Sequence, residues 1–227
     1  MIITIDGPVA SGKSTVAKAL AKGLGFCYLN TGLLYRATAY ALMHTLRIAE
    51  MIDTTMEAVT KQDLDCVYDL LFTYDHVMLR VSFLGKDLTT ELSQQRYEKP
   101  ASMVASHSLV RMMLLDVQRD VAKRYDVIAD GRDCGTVVFP QADVKFFLTA
   151  SPDVRARRLF NDPKRKVSGT TLDEVKASLM QRDERDYKRA IAPLSVPVDA
   201  LMVDNSDVSF EQSVAIMLAQ IRKKITK

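Results

Sequence analysis

Cysteine is scarce in this chain. Cys27, Cys66 and Cys134 are the only three, far apart, odd in number and without a C-x-x-C pair. That pattern excludes a disulfide framework and leads us to expect reduced thiols in a cytoplasmic protein. No apolar run approaches the ~18 residues that a membrane span requires. No charged, cleavable leader precedes the first apolar stretch, so neither an anchor nor an export signal is expected. Internal repeats and low-complexity segments are missing as well. Excess charge is small: 31 Lys and Arg against 28 Asp and Glu leave +3. That is too little to argue by itself for nucleic acid. Few aromatics interleave with the basic clusters, which counts against base stacking. What is present suits one domain with room for a small insert. The chain has 227 residues, of which 48% are hydrophobic and 26% charged, enough for a full core.

One stretch of the sequence dominates. An apolar run, Ile2–Ile5, leads into Gly7-Pro8-Val9-Ala10-Ser11-Gly12-Lys13-Ser14, and a helical pattern follows at once. Strand, G-x-x-x-x-G-K-S and helix in that order form a phosphate-binding loop. Its backbone N–H groups would cradle an anion, helped by the positive end of the helix dipole. Lys13 would reach the outer phosphates as a point charge, and the Ser14 hydroxyl could ligate a bridging magnesium ion. Residues 7–15, Thr15 included, are therefore expected to hold a nucleoside triphosphate. The loop alone leaves kinase, GTPase switch and ATPase open.

Short apolar strand signals occur at Ile2–Ile5, Phe26–Leu29, Val127–Ala129, Val144–Thr149 and Ala200–Val203. Helical patterns separate them: about Lys13–Lys22, ending at Gly23, then Leu33–Leu46, Leu109–Arg124, a helix opened by the Thr171–Glu174 capping box and running to Ala190, and Phe210–Ile225. The alternation predicts an α/β fold: a parallel sheet with helices on both faces. Residues 63–100 break it. His76–Phe83 alternates as a strand, Leu84–Asp87 reads as a turn and Leu88–Thr90 as a short return strand. The result is a β-hairpin insert outside the main sheet.

Two further clusters carry chemistry. Val127–Thr136 is a buried strand ending at Asp130, followed by a loop that displays Arg132 and Asp133. In a doubly wound sheet such loops meet the ligand at the carboxyl ends of the strands. A turn with a local Asp–Arg pair is the plainer alternative. In the second cluster, Arg182, Asp186 and Arg189 fall at i, i+4 and i+7 on one helical stripe, beside Arg185. This is either a salt-bridged surface face or a phosphate clamp. Arg155, Arg157 and Arg158 precede it, followed by the basic Asn161–Lys166 loop, which suggests a lid over polyphosphate. A weak RNA-contact patch is the alternative.

The resemblance then becomes specific. Gly-Pro-x-Ala-Ser-Gly-Lys-Ser, Asn30-Thr31-Gly32-Leu33-Leu34-Tyr35-Arg36, the Ala129–Pro140 run and Arg182-Asp-x-Arg185-Asp186-x-x-Arg189 with Pro193-Leu194 occur in this order. Together they resemble the bacterial cytidylate kinases over about residues 1–222. The resemblance implies a P-loop nucleoside-monophosphate kinase. Its core would be residues 1–62 and 101–227, with a lid at about 157–170. Residues 63–100 would be the inserted part of a monophosphate-binding subdomain. It implies ATP with Mg2+ as donor and CMP or dCMP as acceptor, no nucleic acid, no membrane and a monomer. Arg36, Arg132 and Arg189 would clamp the CMP phosphate, and Arg157 and Arg158 would be the lid arginines. Arg182 and Asp186 would lie near the sugar. Ser102, Arg111 and Asp133 would read the base, since cytosine offers an amino donor to a carboxylate and O2/N3 acceptors to a guanidinium. Thr31 and Asp130 complete the expected acceptor site. Lys13, Arg132, Arg157, Arg158 and Arg189 would be catalytic, and Ser14 the metal ligand. Asn30 stands where the family often has Asp. His44, His76 and His107 fall outside every motif, which suits a phosphate acceptor better than a hydroxyl. Rival readings are a kinase of another small acceptor, UMP or a hydroxylated metabolite, and a nucleotide-switched RNA-binding module.

Overall fold

The structure is a computed structural model that describes residues 1–49, 51, 56, 58–74, 79–163 and 169–225. Its elements in chain order are β1 (Ile2–Asp6), α1 (Lys13–Leu24), β2 (Cys27–Asn30), α2 (Thr31–Leu46), β3 (Leu70–Tyr74), β4 (Leu79–Phe83), β5 (Lys86–Asp87), α3 (Glu98–Val104), α4 (Ser108–Ala122), β6 (Val127–Gly131), β7 (Val144–Thr149), α5 (Pro152–Asn161), α6 (Leu172–Lys188), β8 (Leu201–Asp204) and α7 (Phe210–Ile225). Five strands form a parallel sheet in the order β2-β6-β1-β7-β8. All five therefore end at the same edge. The connections leaving β1, β2, β6, β7 and β8 converge there.

Strand alternation explains the two helix layers. Successive side chains point to opposite faces of a sheet. Cys27, Leu29, Val127 and Ala129 pack on one face with Leu34, Leu42 and Leu114. Tyr28, Ile128, Ile3, Ile5, Phe146 and Leu148 pack on the other with Val16, Leu20, Met217 and Ile221. Phe146, Ile3 and Ile5 are fully buried, each worth roughly 2 kcal/mol of transfer free energy. The α/β class with helices on both faces is thus observed.

Local differences from the sequence reading have physical causes. α1 continues through Gly23 to Leu24, and the left-handed stop is Gly25 at φ 70°. α2 begins at Thr31 because Asn30 caps it, accepting from the Leu33 amide at 3.2 Å. α4 runs Ser108–Ala122, not Leu109–Arg124. The capping box of α6 is present, but the helix stops at Lys188, two residues short of Ala190. Arg189 is its extended C-cap, off the helical stripe assigned to it.

The insert is a three-stranded antiparallel sheet, β3-β4-β5. β3, absent from the sequence reading, pairs with β4 from Leu70↔Phe83 to Tyr74↔Leu79. The return strand is Lys86–Asp87, not Leu88–Thr90, because the turn closes early at Leu84 and Gly85, both at positive φ. α3 was also not foreseen. The start of the predicted strand at His76–Met78, and Lys164–Ser168 within the predicted lid, lie outside the described residues.

Candidate active site

β1 ends at the centre of the sheet and its chain turns directly into the phosphate loop. Gly7 passes so close to the Leu148 carbonyl that a Cβ would collide with it. Gly12 at φ 88° opens α1, a conformation natural only to glycine. Ala10 sits at φ 59°, a left-handed strain of about 1 kcal/mol for a residue with a Cβ. Lys13 is buried and donates to the Pro8 carbonyl at 2.9 Å. Burial, with the charge of Arg132 added, pulls its ammonium well below the usual lysine range. An anion placed in the loop would reverse that shift. Ser14 Oγ donates to Asp130 Oδ2 at 2.5 Å, and Tyr28 donates to the other oxygen at 3.0 Å.

Across the cleft the opposite wall is built from side chains. Arg132 follows β6 and donates to Asp186 of α6 at 2.7 Å. Burial alone would raise the Asp186 carboxyl, but the Arg132 guanidinium outweighs it and holds it below the ordinary value. Asp133 is shared: one oxygen accepts from Arg189 at 3.1 Å and the other from Arg111. Arg111 also donates to the Ala105 carbonyl at 3.0 Å, and its guanidinium lies 5.6 Å from the Tyr35 ring. Glu98 at the start of α3 accepts from Arg182 at 2.5 Å and faces Arg36 at 3.6 Å. The cleft is open to solvent and has a volume of about 260 Å³. Five basic groups line it (Lys13, Arg36, Arg132, Arg182 and Arg189) against four acidic ones (Glu98, Asp130, Asp133 and Asp186). An almost neutralised set of guanidinium forks facing a phosphate cradle can bring two anions together.

The two sides meet at Asp6, the last residue of β1. Its oxygens accept from the backbone N–H groups of Gly135 and Cys134 at 2.7 and 2.8 Å. Those amides open the wide turn Cys134–Val138 that follows Arg132 and Asp133. Burial raises the Asp6 carboxyl to about 6 despite the two amides, which act in the opposite direction.

The cytidylate kinase family model matches residues 3–223. A cytidylate kinase of Pseudomonas fluorescens (strain SBW25) is 41% identical over 223 residues, covering 97% of this chain and 94% of the relative. That of Mannheimia succiniciproducens is 39% identical over 225 residues, covering 99% and 97%. The chain belongs to the cytidylate kinase family. A solved structure of an uncharacterized protein from Eubacterium ventriosum shares the fold, with a TM-score of 0.55, 13% identity and 98% of both chains covered.

Most of the residues picked out as family site positions face one cleft. Val9, Ala10, Lys13 and Ser14 line its loop side. Thr31 and Arg36 of α2, Ser102 of α3, Asp130, Arg132 and Asp133 after β6, and Arg182, Asp186 and Arg189 line the rest. Gly12, Thr15 and Arg158 line an adjoining cleft with Lys13 and Ser14. Gly7, Pro8 and Ser11 shape the loop from behind. Arg111 stands behind Asp133. Arg157 is exposed on α5 and lines neither cleft.

Three polar residues around the site were not singled out from sequence: Asp6, Glu98 and Asn205. Arg155, grouped in the sequence reading with Arg157 and Arg158, takes a place apart from them. Arg155 is buried and donates to the Val9 carbonyl at 3.2 Å and to Asp183 at 2.5 Å, tying α5 to the phosphate loop. Asp6 had a signal, a charge closing an otherwise apolar strand. Glu98 and Asn205 had none, since their partners are distant in sequence. The three cysteines are buried and none forms a disulfide.

Proposed function

We propose that the protein transfers the γ-phosphoryl group of ATP to CMP or dCMP, giving ADP and CDP or dCDP. The observation that carries the reading is the pairing of a phosphate loop with Arg36, Arg132, Arg182 and Arg189 across a single cleft. The acceptor phosphate, with a second pKa near 6, is already largely an oxyanion at pH 7 and requires no base. The obstacle is repulsion between two anions. The arginines offset it, align acceptor and donor oxygens, and stabilise charge spreading in the transition state. Arg132, Arg36 and Arg189 take the CMP phosphate in this reading. Asp186 and Arg182 lie toward the sugar, with Thr31 beside them. Asp133, paired with Arg111, reads the cytosine amino group, and Ser102 and Arg111 face the rest of the base; a uracil carbonyl there would meet a carboxylate. Lys13 holds the outer ATP phosphates, and Arg158 with Arg157 completes the donor side.

Magnesium suits this site. Ser14 and Asp130 offer hard oxygen donors 2.5 Å apart beside the loop. Such an ion keeps several of its waters and is shared with substrate phosphates, so one or two protein oxygens suffice. Bound there, Mg2+ would neutralise polyphosphate charge. Ser14 and Asp130 would hold it, and Tyr28 fixes the Asp130 carboxylate.

The insert 63–100 is read as the inserted part of the monophosphate-binding subdomain on the core 1–62 and 101–227, and 157–170 as the lid. The separate β3-β4-β5 sheet supports the first. The chain is read as acting as a monomer. Among the described residues no helix is long and apolar enough to cross a membrane, and three buried cysteines outside any disulfide support a cytoplasmic setting.

The test is a coupled ADP-release assay with CMP, dCMP, UMP and AMP. CMP and dCMP are expected to give the highest kcat/KM. If UMP or AMP exceeds both, the base-reading assignment is wrong.

A further inference from the structure

We propose that Asn205 is a positioning residue for the donor nucleotide. It holds the phosphate loop in its anion-binding form and aims Arg158 along the same wall. The inference rests on the ATP reading of that loop.

Asn205 is the first residue after β8 and is only 4% exposed. Its amide N–H donates to the Thr149 carbonyl at 2.9 Å. The bond extends the β7–β8 ladder one step and fixes the residue at the edge of the sheet where the site lies. Nδ2 donates to the Ser11 carbonyl at 2.9 Å. Oδ1 accepts from Arg158 Nη1 at 2.9 Å, and the backbone carbonyl accepts from Nη2 at 2.8 Å. One buried side chain thus joins three elements: the phosphate loop, α5 and the end of β8.

The Ser11 contact matters because a phosphate cradle is made of peptides turned so that N–H faces the anion. A peptide turned that way sends its carbonyl to the opposite side, into protein. Ser11 is fully buried, so water does not satisfy its carbonyl, and a buried acceptor without a donor is costly. Asn205 is that donor. It also lies against Gly12: Nδ2 is 3.5 Å from where a Cβ would stand. The left-handed turn at Gly12 therefore packs directly on this amide. Removing the donor leaves the Ser11–Gly12 peptide either orphaned or free to rotate, and rotation would aim a carbonyl dipole at the phosphates.

The second arm concerns charge. Arg158 lines the cleft formed with Gly12, Lys13, Ser14 and Thr15. Two parallel bonds from Asn205 fix the plane of its guanidinium, as a fork geometry does. A neutral amide is the group that can serve both arms. A carboxylate in its place would keep Arg158 but set an acceptor against the Ser11 carbonyl.

Steady-state kinetics of Asn205→Ala and Asn205→Asp, with ATP and CMP varied in turn and Tm measured, test the proposal. The KM for ATP is expected to rise about tenfold in both variants, the cost of one buried hydrogen bond, with the KM for CMP within about twofold. An unchanged KM for ATP in either variant overturns the proposal. So does an equal rise in both KM values with a loss of Tm, which marks a merely structural role. If Asn205→Ala does not fold, Asn205→Asp, close to Asn in shape, decides alone by the same split. Absence of CMP-dependent turnover in the unaltered protein would count against the function reading. Calorimetric titration of the variants with ATP would still decide the role of Asn205.

Discussion

The two walls of the cleft are made differently. On the proposed function the donor wall is a contiguous run, residues 7–15, whose working parts are backbone amides and the mouth of α1. The acceptor wall is assembled from α2, α3, the turn after β6 and the end of α6, and its working parts are long charged side chains. The donor wall holds its shape through glycine conformations and a few strained residues. The acceptor wall holds its shape through ion pairs: Arg132 with Asp186, Arg189 and Arg111 with Asp133, and Arg182 and Arg36 with Glu98. A backbone cradle tolerates sequence change at most positions but not a change of peptide orientation. A side-chain wall has the opposite sensitivity: removing one charge leaves its partner buried and unpaired.

The sharpest way to break the comparison is Arg132→Met. It removes an acceptor-wall charge without touching the loop, and kcat/KM for CMP should fall about a thousandfold, as for a charge acting on a transferring phosphoryl group. ATP affinity, read by titration, should stay the same. Near-normal kcat/KM for CMP would refute the clamp.

Asp6 tests whether the walls are independent, since it ends the strand that starts one wall and pins the turn of the other. Its carboxyl is raised from 3.8 to about 6. Between those pH values the folded chain holds a proton that the unfolded chain has lost. Its contribution to stability is therefore fully present below pH 4, declines as pH rises to 6 and is flat beyond. The shift corresponds to about 3 kcal/mol at 1.36 kcal/mol per unit. Urea unfolding across pH 4–6 should show the unaltered protein losing about that much more stability than Asp6→Asn. Parallel profiles would remove Asp6 from this role.

Glu98→Gln has the smallest expected effect. It keeps the shape of α3 but withdraws charge from Arg182 and Arg36. The KM for CMP should rise about tenfold through misplaced guanidiniums, with the KM for ATP unaffected. Equal changes in both constants would mean that Glu98 supports the fold rather than the acceptor wall.

The same division explains what was legible in the sequence. The donor wall is local, so G-x-x-x-x-G-K-S with its flanking strand and helix was enough to place it. The parallel sheet was equally plain, because Ile2–Ile5, Val127–Ala129 and Val144–Thr149 are short apolar runs separated by helical periods. The acceptor wall required the family resemblance, because nothing in Asp-Gly-Arg-Asp says which distant carboxylate each arginine will meet. Glu98 was missed for that reason, as was Asn205, whose partners Ser11 and Arg158 are far from it in the chain. β3 was missed because Leu70–Tyr74 carries no distinctive alternation of its own and becomes a strand by pairing with β4. Arg189 was placed on a helical stripe, but the helix ends one residue earlier. Its guanidinium still reaches Asp133 from the cap.

The near balance of five basic and four acidic groups has a consequence for how the protein meets its substrates. The cleft brings its own counter-ions. On the proposed function, substrate entry would be ion exchange rather than ion capture: a phosphate would displace a carboxylate from a guanidinium, and the freed carboxylate would become available to a hydroxyl, an amino group or a metal. Discrimination would reside in that second half of the exchange. A bare anion could take the arginines, whereas a nucleotide would also give the displaced aspartates new partners.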